Sequence, residues 1–216
     1  MDINTMISIL DEEVVFYTDA MNDTEVYVEY RCANGAICFE SIKSKKFHAF
    51  LGVRYRELTG QLERPDYREL LAIKEEQTIH MQDNQARIYR RVAGNLNKKI
   101  VYFLSDSDWK SVVVTANGWR IGRNKQVKFL RYATDKPQVL PQKGGDYLEL
   151  KLPKLNMDHD DALLYAIYLI QGLSRSSSHF LGIISSKAGT GKTTLTKQTM
   201  ELIDPKKSSV TVTPTS

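Results

Sequence analysis

Ser186-Lys187-Ala188-Gly189-Thr190-Gly191-Lys192-Thr193-Thr194 is the stretch on which the reading of this chain turns. Glycines let the backbone turn tightly, so that successive N–H groups point inward at phosphate oxygens. The apolar run Phe180 to Ile184 predicts a short strand before the loop. The pattern from about Lys192 to Ile203, stopped by Pro205, predicts a helix after it. That order sets the positive end of a helix dipole under the loop. Lys187, Ala188, Gly189, Thr190, Gly191, Lys192, Thr193 and Thr194 are therefore the candidate cradle for a nucleoside triphosphate such as ATP. In such a loop the lysine, here Lys192, meets the β- and γ-phosphates, and the hydroxyl of Thr193 joins the shell of Mg²⁺. The motif usually opens on glycine. Here that position is Ser186, which fits only where the backbone avoids positive φ.

Binding a triphosphate is not hydrolysing it. Phosphoryl transfer also needs a metal-holding acid on a neighbouring strand and a group that orients water. The only acids after Lys192 are Glu201 and Asp204, on or just past the predicted helix. Each strand-to-strand crossover of a parallel sheet takes about a dozen residues or more. Too little chain follows Lys192 to finish one, so the sequence reads as a fragment of a longer protein that is inactive alone.

Upstream of the loop, Asp158, Asp160 and Asp161 sit where a helix from about Asp158 to Leu173 would start. Leu163, Leu164, Ala166, Ile167, Leu169, Ile170 and Leu173 cover much of its circumference and predict a well-buried helix. Pro137, Pro141 and Gly144-Gly145 mark residues 134–157 as a linker. Residues 12–133 read as a mixed α+β N-terminal domain: a hairpin, two helices and an antiparallel meander. Its predicted strands are Val14 to Tyr17, Glu25 to Arg31 and Ala36 to Ile42. Ser44 caps a helix that ends near Gly60, with Phe47, Phe50, Leu51, Tyr55 and Leu58 on one face. A second helix follows Pro65, with Asp66 and Glu69 at capping-box spacing and Leu70, Leu71, Ile73 and Ile79 on its apolar side. The meander runs from Ala86 to Tyr132 through Ala86 to Val92, Lys99 to Leu104, Ser111 to Thr115, Trp119 to Ile121 and Val127 to Arg131. Residues 158–216 then hold the helix and the start of an α/β P-loop NTPase domain, with Ser209 to Val212 as one more strand.

The net charge of +4 is unevenly placed. Met1 to Tyr30 has no Lys or Arg, whereas Arg87 to Arg131 is rich in both. A basic stretch attracts phosphate backbones by releasing counterions. Arg87, Arg90, Arg91, Arg120, Arg123, Lys125 and Lys128 are the candidate nucleic-acid contacts, with Tyr89, Tyr102, Trp109 or Trp119 as stacking partners. No apolar run reaches the roughly 18 residues that cross a bilayer, and Met1 to Asp11 lacks the basic start and apolar core of a signal peptide. The expectation is a cytoplasmic chain with no membrane partner.

Cys32 and Cys38 flank Asn34-Gly35, a strong hairpin signal. A two-residue loop there pairs Cys32 with Ile37 and Arg31 with Cys38, so the thiols point to opposite faces and stay reduced. His48, His80, His159 and His179 are scattered, and no metal centre is expected from them.

The order of features resembles a family of ATP-binding proteins encoded by phages and integrative elements of bacteria, of primase/helicase-like type. The matching stretches are Lys43-Ser44-Lys45-Lys46-Phe47 with Leu51 and Tyr55-Arg56-Glu57-Leu58-Thr59-Gly60; Tyr102-Phe103-Leu104 through Asp108-Trp109; Asn117-Gly118-Trp119; Val127-Lys128-Phe129-Leu130-Arg131; Leu140-Pro141 with Gly144-Gly145; and Lys192-Thr193-Thr194-Leu195 through Leu202-Ile203-Asp204-Pro205. The resemblance spans most of residues 12–205, and the glycine loop is its chemically specific part. It implies a RecA/AAA+-like ATPase domain opening at the loop, with Gly189, Gly191, Lys192 and Thr193 at nucleotide. It also implies a role in replicating a mobile element, with DNA as partner and a homo-oligomer in the full-length protein. Two other readings fit the residues: a protein-interaction module with a vestigial or truncated loop, and a small P-loop kinase. The loop's C-terminal position counts against the kinase.

Overall fold

The computed structural model describes residues 3–63, 65–96, 98–124, 126–144, 157–174, 182–187 and 189–207. Among them are five helices: α1 Ile3–Glu12, α2 Lys45–Thr59, α3 Arg68–Met81, α4 His159–Leu173 and α5 Lys192–Ile203. The strands are β1 Val14–Asp19, β2 Asn22–Arg31, β3 Ile37–Ser41, β4 Gln85–Ala86, β5 Ile88–Tyr89, β6 Val92–Leu96, β7 Lys99–Phe103, β8 Lys110–Thr115, β9 Gly118–Arg123 and β10 Lys128–Phe129. The fold is mixed α and β. It forms two compact units, Met1–Arg90 with Arg123–Arg131, and Arg91–Gly122 with Tyr132–Ser216. Most of the meander groups with the C-terminal helices.

In the first unit a sheet of order β3-β2-β1-β4 carries helices on one face. The β1–β2 register pairs Val14 with Tyr30 and Phe16 with Val28, so Val14, Thr18, Val26, Val28 and Tyr30 share a face. Tyr30 meets the rings of Phe47 and Phe50 from α2, at 5.5 and 4.4 Å between centroids. Phe47, Leu51 and Tyr55 are fully buried, as the helical spacing predicts. The α2 ends also follow the sequence. Ser44 Oγ accepts from Phe47 N–H at 3.1 Å, and Gly60 closes the helix at φ 71°. The opposite face of the sheet stacks Tyr27 on Phe39 and Tyr17 edge-on to Phe39.

Four expectations change here. Met6, Ile9 and Leu10 build helix α1 and are almost wholly buried; their i, i+3, i+4 spacing carried that signal in the sequence. α3 starts at Arg68 rather than after Asp66, whose carboxylate instead accepts from the Arg68 N–H and guanidinium. That guanidinium holds the Asp66 carboxyl down at about 2. Residues 86–92 do not form one strand: β4 runs parallel to β1, and β5 runs parallel to β10. Finally, the β2–β3 register pairs Arg31 with Ile37 and Tyr30 with Cys38, and Cys32 N–H donates to Ala36 O at 2.8 Å. The turn is thus one residue longer than Asn34-Gly35 alone, and a one-residue slip moves every side chain to the other face. Cys32 and Cys38 fall on the same face, Cα atoms 6.1 Å apart, and are joined as a disulfide.

In the second unit β6 to β9 form the antiparallel meander in sequence order. Tyr102, Leu104 and Val112 make a buried cluster with Val92, Ile121 and Leu173 packed against it. α4 and α5 share a second cluster of Tyr165, Leu169 and Leu195. Asp158 caps α4 by accepting from Asp161 N–H at 2.8 Å. The sequence predicts a well-buried helix, but the helix is buried on one side only. Tyr165, Ala166 and Leu169 are covered, while Leu163, Leu164, Ile167 and Ile170 are exposed. The expected linker starts as ordered chain. Asp135 pairs with Lys206 in a bridge, and Gln138 N–H donates to Leu104 O at 2.8 Å. Residues 145–156 and the expected strand Ser209 to Val212 lie outside the described residues.

Cys32→Ser is expected to lower the unfolding free energy of the first unit by about 2 kcal/mol, the value for a short closed loop. Denaturant melts with and without reductant check it; midpoints that coincide would mean the thiols are not joined in solution.

Candidate phosphate-binding site

The N-cap of α5 is Gly191, which stands at φ 90° with no side chain capping the helix. Its first N–H groups therefore have no side-chain acceptor, and they carry the helix's partial positive charge. Gly189 is also left-handed, at φ 80°. A Cβ at either glycine would meet nothing within 4 Å, so the backbone angle, not crowding, calls for glycine. Ser186 is not among the described non-glycine residues with positive φ, which removes the objection to serine at the head of the loop.

The loop folds back on itself around one ammonium. Lys192 Nζ donates to Ser186 O at 2.6 Å and to Lys187 O at 2.8 Å, with Ser186 Oγ at 3.4 Å. Thr190 Oγ1 donates to Lys187 O at 2.8 Å and also meets Ser186 Oγ. No carboxylate lies within salt-bridge distance of Lys192 among the described residues. The ammonium thus lies across the loop with neutral oxygens as its partners, beside the positive end of a helix. An anion placed there would meet both charges. Thr193 is exposed next to it. A single hydroxyl suits Mg²⁺, which is held by one or two protein oxygens while phosphates and water complete its octahedron. Ala188 lies outside the described residues, and so do Phe180 and Leu181. Gly182 to Ile184, the rest of the expected strand, is not in a strand: no ladder partner lies beside it among the described residues.

Packing fixes where α5 stands. Leu195 enters the α4 cluster, and Tyr165 Oη shares a 2.8 Å hydrogen bond with Thr199 Oγ1. Gly172 allows the close approach: a Cβ there would lie 2.7 Å from Ile203 Cδ1. The far end of α5 is held by donors from the meander and from residue 138. Its last carbonyls lack partners within the helix. Tyr102 Oη donates to Ile203 O at 2.8 Å, and Gln138 Nε2 donates to Glu201 O and Leu202 O at 3.0 and 2.9 Å. Burial raises the Tyr102 phenol, which keeps it a donor. Arg91, 5% exposed, reaches Asp204 Oδ1 at 2.8 Å, Lys136 O at 2.6 Å, Pro205 O at 3.1 Å and Phe103 O at 3.2 Å. A guanidinium at the negative end of a helix is doubly favourable.

These facts redraw the basic face. Arg91 is engaged internally, so it does not face a phosphate backbone. Lys128 is bound to Glu29 and lies over the Tyr17 ring, 4.7 Å from its centroid. Arg87, Arg90, Arg120 and Arg123 are exposed, and Lys125 lies outside the described residues. Arg120 belongs to the second unit, whereas Arg87, Arg90 and Arg123 belong to the first. Tyr89, Tyr102 and Trp109 are core residues, leaving Trp119, 37% exposed, as the accessible ring of the four. Glu201 and Asp204 are paired with Lys136 and with Arg91 and Lys206. They sit at the opposite end of α5 from the loop, about 15 Å away at the helical rise. Sequence reasoning gave Arg91 to nucleic acid and so missed its structural role, and it missed Gln138 and Asp135, both inside the expected linker 134–157. Among the described residues no cluster of three His, Cys, Asp or Glu side chains could hold a metal, and no helix is long and apolar enough to cross a membrane. Comparisons with protein-family models, with curated proteins and with solved structures returned no match.

Arg91→Ala removes the guanidinium that the Phe103, Lys136 and Pro205 carbonyls and the Asp204 carboxylate share, and is expected to destabilise the second unit by about 3 kcal/mol. Arg91→Lys should recover only part of that, since an ammonium cannot span the four acceptors. Thermal unfolding of both variants checks it. Asp135 supplies a pH signature. Burial raises its carboxyl, but Lys206, the Tyr132 N–H and Arg91 outweigh that and leave it below the usual range. A depressed folded-state value adds stability above the unfolded value near pH 4, and that stability is lost as pH falls through the folded value. Asp135→Asn should therefore be less stable at pH 7, with a flatter loss of stability below about pH 4; parallel acid melts for the two proteins would disprove it.

Proposed function

We propose that this chain binds a nucleoside triphosphate, ATP, with Mg²⁺ through Lys187–Thr194. It would do so as the N-terminal part of a phage or mobile-element protein of helicase/primase type that acts in DNA replication. The observation that carries the nucleotide reading is the Lys192 ammonium lying on the Ser186 and Lys187 carbonyls, with left-handed Gly189 and Gly191 around it, at the head of α5. Backbone amides, helix dipole and lysine converge on one spot, which suits a polyphosphate. Phosphate oxygens would take over the ammonium from the two carbonyls, and the Thr193 hydroxyl would hold Mg²⁺. The replication role rests on the order of motifs across residues 12–205, and its DNA contact on the exposed Arg87, Arg90, Arg120 and Arg123. A protein-interaction module is the second reading, favoured by Leu163, Leu164, Ile167 and Ile170 exposed along α4.

Titration calorimetry with Mg-ATP should show saturable binding that weakens tenfold or more in Lys192→Ala, the loss of one charge-assisted contact. Hydrolysis by this chain alone should stay undetectable, since among the described residues no carboxylate lies within salt-bridge distance of Lys192. Equal ATP affinity in the two proteins would sink the nucleotide reading, while turnover that depends on Lys192 would sink the claim of inactivity.

A further inference from the structure

The tip of the β2–β3 hairpin gathers two arginines on one oxygen. Arg31 Nη1 and Arg123 Nη1 both donate to Gly35 O, at 3.5 and 3.3 Å, and Arg123 Nη2 reaches Asn34 O at 3.5 Å. Two positive charges therefore stand within about 7 Å of each other, close enough to repel even across water. Both residues are exposed. Neither has a carboxylate within salt-bridge distance among the described residues, in contrast to Arg54, Arg68 and Lys128 of the same unit. Among the described residues the partners of the pair are carbonyls, which offset neither charge. The tip beneath them is stiff: the Cys32–Cys38 bond spans it, and Asn34 Oδ1 accepts from Ala36 N–H at 3.0 Å. A tip held in place loses little freedom when a ligand arrives.

We propose that Arg31 and Arg123 form a clamp for a phosphate group, and that the group belongs to a nucleic-acid backbone. A phosphate diester carries one charge and two free oxygens, and each guanidinium can donate to it in a fork. Bound there, the anion replaces repulsion between the arginines with attraction to both. Arg87, its guanidinium carbon 5.8 Å from the Tyr89 ring centroid, and Arg90 lie in the same unit and offer further backbone contacts. The site is separate from Lys187–Thr194 and stands or falls without it.

The test uses the Lys192→Ala chain, so that the glycine loop contributes nothing, and a fluorescent twelve-nucleotide oligothymidylate at 50 mM salt. Binding should be saturable. Replacing both arginines (Arg31→Gln with Arg123→Gln) should weaken it tenfold or more and make the slope of log K against log salt shallower by about one or more. A circular-dichroism melt of the double variant checks that it folds, and Arg31→Lys with Arg123→Lys, which keeps the charge, should retain part of the affinity. Inorganic phosphate at millimolar level competing fully with the oligonucleotide would overturn the nucleic-acid assignment in favour of a small phosphate ligand. An absence of oligonucleotide binding, or equal affinity and slope with and without the two arginines, would overturn the clamp itself.

Discussion

The second unit depends on the closing of one helix end. The carbonyls of Glu201, Leu202, Ile203 and Pro205 leave α5 with no helical partners, and Arg91, Tyr102 and Gln138 supply them. The same guanidinium takes the Phe103 carbonyl from the meander and the Asp204 carboxylate from the helix end. Sheet and helix are therefore joined by the donors of a few side chains as well as by apolar packing. The loop lies at the head of α5, one helix length from the carbonyls that these donors hold. Arg91 thus stands at the opposite end of the helix from the candidate phosphate site and does not touch it.

The first unit is governed by register. A turn one residue longer than the Asn-Gly dipeptide places Tyr30, Cys32 and Cys38 on the face that carries α2. That choice puts Phe39 on the other face, where Tyr17, Tyr27 and Lys128 surround it. It also aims the Asn34 and Gly35 carbonyls at Arg123. The hairpin tip, the disulfide and the arginine pair are consequences of the same added residue.

The charges along the chain sort into structural and available ones only through burial. Arg91 and Arg90 are neighbours in sequence, yet the first is buried on four oxygens, three carbonyls and a carboxylate, and the second faces solvent. Lys128 has the Glu29 carboxylate and an aromatic face, whereas among the described residues Arg123 meets carbonyls. A basic run in sequence is not a basic surface, because strands alternate and hairpins send neighbouring segments to different units.

Local chemistry was legible without coordinates. Ser44 and Gly60 bound α2, Asp158 starts α4, and Lys192 to Ile203 is a helix, since caps and periodicity act within a few residues. The loop glycines were legible for the same reason: positive φ is a property of the residue itself. Helix α1 was not read from the sequence, although Met6, Ile9 and Leu10 stand at i, i+3 and i+4. Tertiary structure alone decided the rest. Hairpin register depends on which face finds a core, and the role of Arg91 depends on oxygens of Phe103, Lys136 and Pro205, brought together from far along the chain. The strand expected before the loop depended on a neighbour to pair with. Hydrogen bonds between distant segments leave no periodic trace in sequence, so only the folded chain could show which donors meet which acceptors.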